Sequence, residues 1–229
     1  MIKSFLISTT ISITLVASQQ IVLVVSDDFN TSSAQLQCFE DGKRVFEPIE
    51  VNLGKNGLGW GLGEEQLAQK DDEPLKHEGD KKSPAGVFQL TSVFGYAPTI
   101  PNRAMPYLYA TKELICVDDA NSPFYNQIIM AQGDEKSFEK MKRDDKQYQL
   151  GIVVAHNKKA KPKRGSCIFL HVEKSKKAKT LGCTSMSYKH LDRIVRWLDK
   201  QKNPLLIQVT KNSLKEIVKK YRLKKREKK

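Results

Sequence analysis

The sequence predicts a mainly β domain with a few covering helices, and three observations carry that prediction. β-Branched or alternating apolar runs recur from Ile21 to Val172, separated by glycine-rich or charged connections. Helical periodicity is confined to the chain after Ser187. The 229 residues, 39% hydrophobic and 28% charged, suit one globular domain of about 150 to 200 residues with short appendages, which excludes a fibrous, collagen-like or wholly disordered chain.

At the N-terminus Met1-Ile2-Lys3 supplies a positive start, Phe5 to Val16 a mostly apolar run, and Val16-Ala17-Ser18 a small-residue cleavage site. This order reads as an export signal over residues 1–18. The run is shorter than the about 20 apolar residues that a membrane span needs, and no other segment reaches that length. The expected product is therefore exported, periplasmic or extracellular and cell-wall associated, with no transmembrane span after cleavage.

Ile21 to Val25 reads as the first strand, and Ala34 to Phe39, alternating around Leu36 and Cys38, as the second. Gly54, Gly57, Gly59, Gly61 and Gly63 then crowd around Trp60. No P-loop or G-x-G-x-x-G frame is present, so these glycines are assigned to turns and close backbone packing. Residues 64–82 are polar and read as a loop. Ile115-Cys116-Val117, Tyr148 to Ala155 and Ser166 to Val172 are further strands, and Asn157 to Gly165 is a solvated, lysine-rich connection. Ser187 can cap a helix whose Leu191, Ile194, Val195 and Leu198 share one face. Leu205 to Val209 follows Pro204 as a strand. Leu214, Ile217, Val218 and Tyr221 mark a second amphipathic helix that runs into Lys224 to Lys229. The order favours a mostly antiparallel sheet.

Lys and Arg number 39 against 26 Asp and Glu, a net +13, of which +8 sits in residues 211–229. That tail could meet an anionic envelope polymer or simply remain solvated. Cys38, Cys116, Cys167 and Cys183 form no C-x-x-C, and His77, His156, His171 and His190 form no H-x-x-x-H. No metal or other cofactor is expected, and His77, His156 and His190 read as structural or rim residues.

The chemistry concentrates between residues 165 and 186. Period-two alternation sets Cys167, Phe169 and His171 on one side of their strand and Ser166, Ile168 and Leu170 on the other. Twelve residues beyond His171 comes Leu181-Gly182-Cys183-Thr184, with a glycine that lets the backbone turn sharply beside the thiol. A cysteine needs a nearby imidazole to become a nucleophilic thiolate near neutral pH. By spacing alone, a lone His and Cys twelve residues apart are more often structural than catalytic.

Five ordered blocks add to this: Glu78 to Phe88 around Ser83-Pro84-Ala85-Gly86, Phe94-Gly95-Tyr96, Ser122-Pro123-Phe124-Tyr125-Asn126, Gly165 to His171, and Gly182-Cys183-Thr184-Ser185-Met186. Together they resemble the L,D-transpeptidase catalytic domain, the YkuD-type fold, over roughly residues 20–210. The resemblance implies a β-rich, sandwich- or barrel-like domain over residues 19–210, followed by a basic amphipathic helix and tail over 211–229.

It also implies cysteine acyl transfer on peptidoglycan stem peptides. Cys183 would attack a peptide carbonyl and His171 would act as base and then acid. The backbone carbonyl near Val172 would fix the imidazole tautomer, and the amides of Gly182 and Cys183 would hold the oxyanion. Thr180, Thr184, Ser185 and Lys179 are the candidate substrate contacts. Lys174, Lys176, Lys177 and Lys179 either meet substrate carboxylates and the thiolate or form a solvated loop. With Cys183 free, one disulfide can form among Cys38, Cys116 and Cys167.

The chain departs from the usual family pattern at three places. Leu181 stands where a histidine is common, Ser185 replaces Arg or Asn, and the His171 to Cys183 gap is short. These departures leave open a hydrolase of the same fold, with water as acceptor. Two non-catalytic alternatives are a wall-binding module with a basic tail and an exported nucleic-acid binder; nucleic acid is not the expected partner.

Overall fold

The computed structural model describes residues 18–101 and 104–224. The expected export signal lies outside the described residues except for Ser18, as does the end of the basic tail.

In chain order the strands are β1 (Gln20–Ser26), β2 (Ser33–Glu40), β3 (Lys43–Arg44), β4 (Ile49–Asn52), β5 (Leu58–Trp60), β6 (Ser83–Gly95) and β7 (Tyr107–Tyr109). They continue with β8 (Leu114–Val117), β9 (Ile128–Met130), β10 (Phe138–Lys140), β11 (Leu150–Val154), β12 (Phe169–Val172) and β13 (Thr184–Met186). Helix α1 (Tyr188–Trp197) follows, then β14 (Leu205–Thr210) and α2 (Lys211–Lys220). Among the described residues the protein is mainly β with two α-helices, and the large sheet is barrel-like.

Hydrogen-bonded neighbours run β1-β14-β6-β11-β12-β13-β4-β2, and β2 pairs back onto β1, so eight strands close on themselves. Closure satisfies strand edges that would otherwise be exposed. Most pairings are antiparallel, as expected, but β1–β14, β12–β13, β5–β6 and β6–β7 are parallel. β3 extends β2, while β5 and β7 pair with the long strand β6. A separate antiparallel sheet in the order β10-β8-β9 packs to one side.

β1 is buried at every position because its two faces are both covered. One face looks into the barrel; α2 lies along β1 and β14 and inserts Ile217. Ser187 caps α1 by accepting a hydrogen bond from the His190 amide. Leu191, Ile194 and Val195 then seat α1 against β11 and β12, each contributing about 2 kcal/mol of burial. Around the glycine-rich stretch, backbone meets backbone: a Cβ on Gly54 would lie 2.4 Å from the Lys81 carbonyl oxygen.

The buried residues form two clusters. The larger fills the barrel and the helix interfaces, with Val93, Ile152, Leu170 and Met186 among its members. The smaller contains Phe94, Cys116, Met141, Tyr148, Cys167, Phe169 and Cys183, between the outside of the barrel and the three-stranded sheet. A Cys116–Cys167 disulfide ties that sheet to the turn before β12, leaving Cys38 and Cys183 free. This supplies the pairing that the sequence left open.

The bridge spans 51 residues, so the Cys116→Ser/Cys167→Ser double variant should lose about 2 to 4 kcal/mol of unfolding free energy. Urea denaturation checks this. An unchanged midpoint would show that the small sheet is held by packing alone.

Candidate active site

The backbone register of β12 and β13 brings the two sequence-predicted groups together. Leu170 pairs with Thr184 and His171 with Ser185, which sets Phe169 opposite Cys183. The Phe169 amide donates to Cys183 Sγ at 3.3 Å. His171 stands one pleat farther along the neighbouring strand, about 6.6 Å along and about 4.8 Å across. Phe169 and Cys183 belong to the outer cluster while Leu170 belongs to the barrel core. By alternation His171 therefore shares the outer face with the thiol.

His171 is 5% exposed. Its Nδ1 lies 2.8 Å from the Val172 carbonyl oxygen, which requires the proton on Nδ1 and leaves Nε2 as an acceptor. Burial pulls the imidazole pKa down to about 4; the Val172 carbonyl opposes this and Arg143 adds to it. The ring is thus neutral at pH 7. Cys183 is 7% exposed. Burial, and then the Glu139 carboxylate, push its thiol up to about 12, against the Phe169 amide and the Tyr148 hydroxyl. The resting pair is thiol and imidazole rather than an ion pair.

The nucleophile turn is clamped from its carbonyl side. Ser83 Oγ donates to the Cys183 carbonyl at 2.8 Å and Thr180 Oγ1 at 2.6 Å. Gly182 sits at φ +154°, a backbone conformation that side-chain-bearing residues rarely adopt.

Beneath the thiol, Cys183 Sγ lies 3.6 Å from the Cys167 carbonyl oxygen, and the turn carrying Cys167 is held by residues from the other blocks. Asn126 Oδ1 accepts from the Cys167 amide at 2.9 Å, and Glu78 accepts from Ser166 Oγ at 2.7 Å and from Tyr125. Asp80 pairs with buried Lys76. Four of the five blocks thus supply the frame of one small site.

Several sequence expectations need correction. The Gly182 amide donates to Thr180 Oγ1 at 3.1 Å and is not free for an oxyanion. Thr180 serves that clamp rather than a substrate. Thr184 projects into the barrel, where its hydroxyl donates to Gln208 at 2.7 Å. Ser185 pairs with His171 on one side and Asn52 on the other and is fully enclosed. Lys179, with Lys176 and Lys177, lines a groove of about 1150 Å³ running over β2 and β4. Neither Cys183 nor His171 lines that groove, because the thiol is covered. Leu181, by contrast, is 76% exposed.

The remaining histidines have local partners: His156 Nε2 contacts the Arg164 carbonyl and its Nδ1 accepts from the Leu62 amide, while the His77 amide donates to Asp80. Among the described residues no group of three or more His, Cys, Asp or Glu could hold a metal.

Sequence reasoning missed Tyr148 and Glu139. Tyr148 packs edge-on against both Phe169 and His171, and its hydroxyl donates to Glu139. In the sequence Tyr148 was only the start of a strand, and Glu139 lay in a charged stretch with no pattern.

A thiol, a neutral imidazole with one nitrogen fixed, and a clamped turn between adjacent strands are the parts that thiol-based acyl transfer requires. The chain matches the family model of the L,D-transpeptidase catalytic domain, YkuD, over residues 23–209 and belongs to that family. The family is generally cysteine-dependent and acts on peptidoglycan peptides. No curated protein and no solved structure matches the chain.

His171 and His156 are both buried with pKa values near 4 instead of 6.5. The unfolded chain binds more protons below pH 6.5, so their contribution is complete above that pH and is lost as pH falls toward 4. Each loss amounts to at most about 3 kcal/mol. Urea unfolding from pH 7 to 4 should show the decline, and His171→Gln should make it shallower. An identical slope would contradict the neutral, buried imidazole.

Proposed function

We propose that the protein is an exported enzyme that uses Cys183 to cleave and transfer stem-peptide acyl groups of peptidoglycan. The observation that carries this reading is the Cys183 sulfur on the Phe169 amide with His171 on the same sheet face. The thiol proton goes to His171 Nε2 as sulfur bonds to the carbonyl carbon. The Nδ1 contact to Val172 holds the ring in place and stabilises the imidazolium that forms.

With the Gly182 amide occupied, the Cys183 amide remains the candidate for the oxyanion from the original pair. His171 returns its proton to the departing D-residue amine, leaving a thioester. An acceptor amine then completes a cross-link and frees the thiol. Water as acceptor would give a shortened stem instead.

Access is the feature that the site must supply, because the thiol is nearly enclosed. The cover is the three-stranded sheet, tethered by the Cys116–Cys167 bridge. Leu181, two residues before Cys183, presents an exposed apolar side chain. The groove carrying Lys176, Lys177 and Lys179 is a separate surface of mixed charge, lined also by Asp27, Glu47, Glu50 and Glu173.

Mass spectrometry of muropeptides tests the reading. Incubation of tetrapeptide muropeptides with the protein and an added amine should give dimers or exchanged stems, and Cys183→Ala should reduce turnover to background while keeping the fold. Shortened stems alone would assign hydrolysis. Undiminished turnover by Cys183→Ala would remove the nucleophile.

A further inference from the structure

Tyr148, just before β11, connects the parts of the site. Its ring lies 5.2 Å from that of His171 and 5.5 Å from that of Phe169, centroid to centroid, and the Arg143 guanidinium sits 5.1 Å from its ring centre. Its hydroxyl donates to Glu139 on β10, in the covering sheet, and Tyr148 packs in the same buried cluster as Cys183, whose thiol pKa the hydroxyl pulls down. A phenol carries one proton and can donate it to only one of these acceptors at a time.

We infer that Tyr148 is a hydrogen-bond switch on the nucleophile: Glu139 holds the hydroxyl proton while Cys183 is a thiol, and the hydroxyl turns to the sulfur when the thiolate forms. The inference rests on Cys183 being the nucleophile. No covalent bond in Tyr148 breaks. The Sγ–H proton passes to His171 Nε2, and Tyr148 exchanges one acceptor for another. A nearly enclosed thiolate needs donors in place of water. The Phe169 amide is one, and the Tyr148 hydroxyl becomes the second.

Glu139 restrains the sulfur in two ways. Its negative charge opposes a thiolate, and its carboxylate competes for the tyrosine proton. The surrounding charges leave this brake in place. Burial, and then Asp118 and Glu78, push the Glu139 carboxyl pKa up while the Tyr148 hydrogen bond and Arg143 hold it down, and the Lys76 charge favours the thiolate. Arg143 and Asp145 act on His171 in opposing senses. On this account Tyr148 donates to the reacting sulfur and is a catalytic residue; Glu139 acts through it and is a positioning residue.

The test is the rate of Cys183 alkylation by iodoacetamide in the full chain between pH 6 and 9, read on the Cys183 peptide by mass spectrometry so that Cys38 does not contribute. Tyr148→Phe should slow alkylation about tenfold at every pH, the worth of a hydrogen bond to a charged group. Glu139→Gln should speed it about tenfold, by removing a charge and freeing the phenol proton. The gain from Glu139→Gln should shrink in the Tyr148→Phe background, because no phenol proton remains to be freed.

Mere loosening of the cover would speed both single variants and leave their effects additive. The inference is overturned by a Tyr148→Phe rate equal to wild type, or by an equal Glu139→Gln gain in both backgrounds. If Tyr148→Phe does not fold, Glu139→Gln alone decides the sign, and absence of a gain overturns the inference. Because alkylation needs no peptidoglycan, a failure here is distinct from a failure of the muropeptide assay.

Discussion

The parallel pairing of β12 with β13 is the constraint on which the rest of the site depends. Side chains alternate across a strand, so a slip of one residue would turn Cys183 into the barrel and bring Thr184 to the outer face. Both sides of the sheet hold the register. Inside, Thr184 bonds to Gln208, which in turn donates to the Pro84 carbonyl. Outside, Ser83 and Thr180 fasten the Cys183 carbonyl. The nucleophile is therefore fixed by its backbone, and its sulfur is left to the Phe169 amide and the Cys167 carbonyl.

That arrangement comes with an energetic cost. Two neutral titratable groups are kept under a tethered sheet, and a buried Lys76–Asp80 pair and a Glu78 network frame the turn beside them. Replacing buried ion pairs with apolar side chains is often neutral or stabilising. Their value here is geometric: each fixes the direction of a backbone segment that approaches the thiol. The disulfide acts in the same sense, since Cys167 lies directly before β12 and its carbonyl faces Cys183.

Much of the fold was legible because it rests on local pattern. The β1 and β2 runs, the Ser187-capped helix and the strand after Pro204 all fall where periodicity and capping chemistry place them. The long strand β6 was not recognised as one element, and short strands such as β9 and β10 carry too few residues for a pattern. Closure into a barrel depends on the β1–β14 and β13–β4 pairings, which link distant segments. Within the site, alternation placed Cys167, Phe169 and His171 correctly. Thr184 turns into the barrel because adjacency in sequence to Cys183 does not fix the face a strand residue occupies, and Ser185, on the Cys183 face, is enclosed between the strands of His171 and Asn52. Tyr148 and Glu139 were invisible because tertiary packing alone brings β10 over β12.

The central claim is that Cys183 is acylated with its proton passing to His171. Intact-protein mass spectrometry after brief exposure to a carbapenem, an acylating agent that captures reactive thiols, tests it most directly when combined with peptide mapping. The account predicts one adduct, on Cys183, formed by the wild type and largely absent from His171→Gln. An adduct located elsewhere, or formed equally fast without the imidazole, would contradict it.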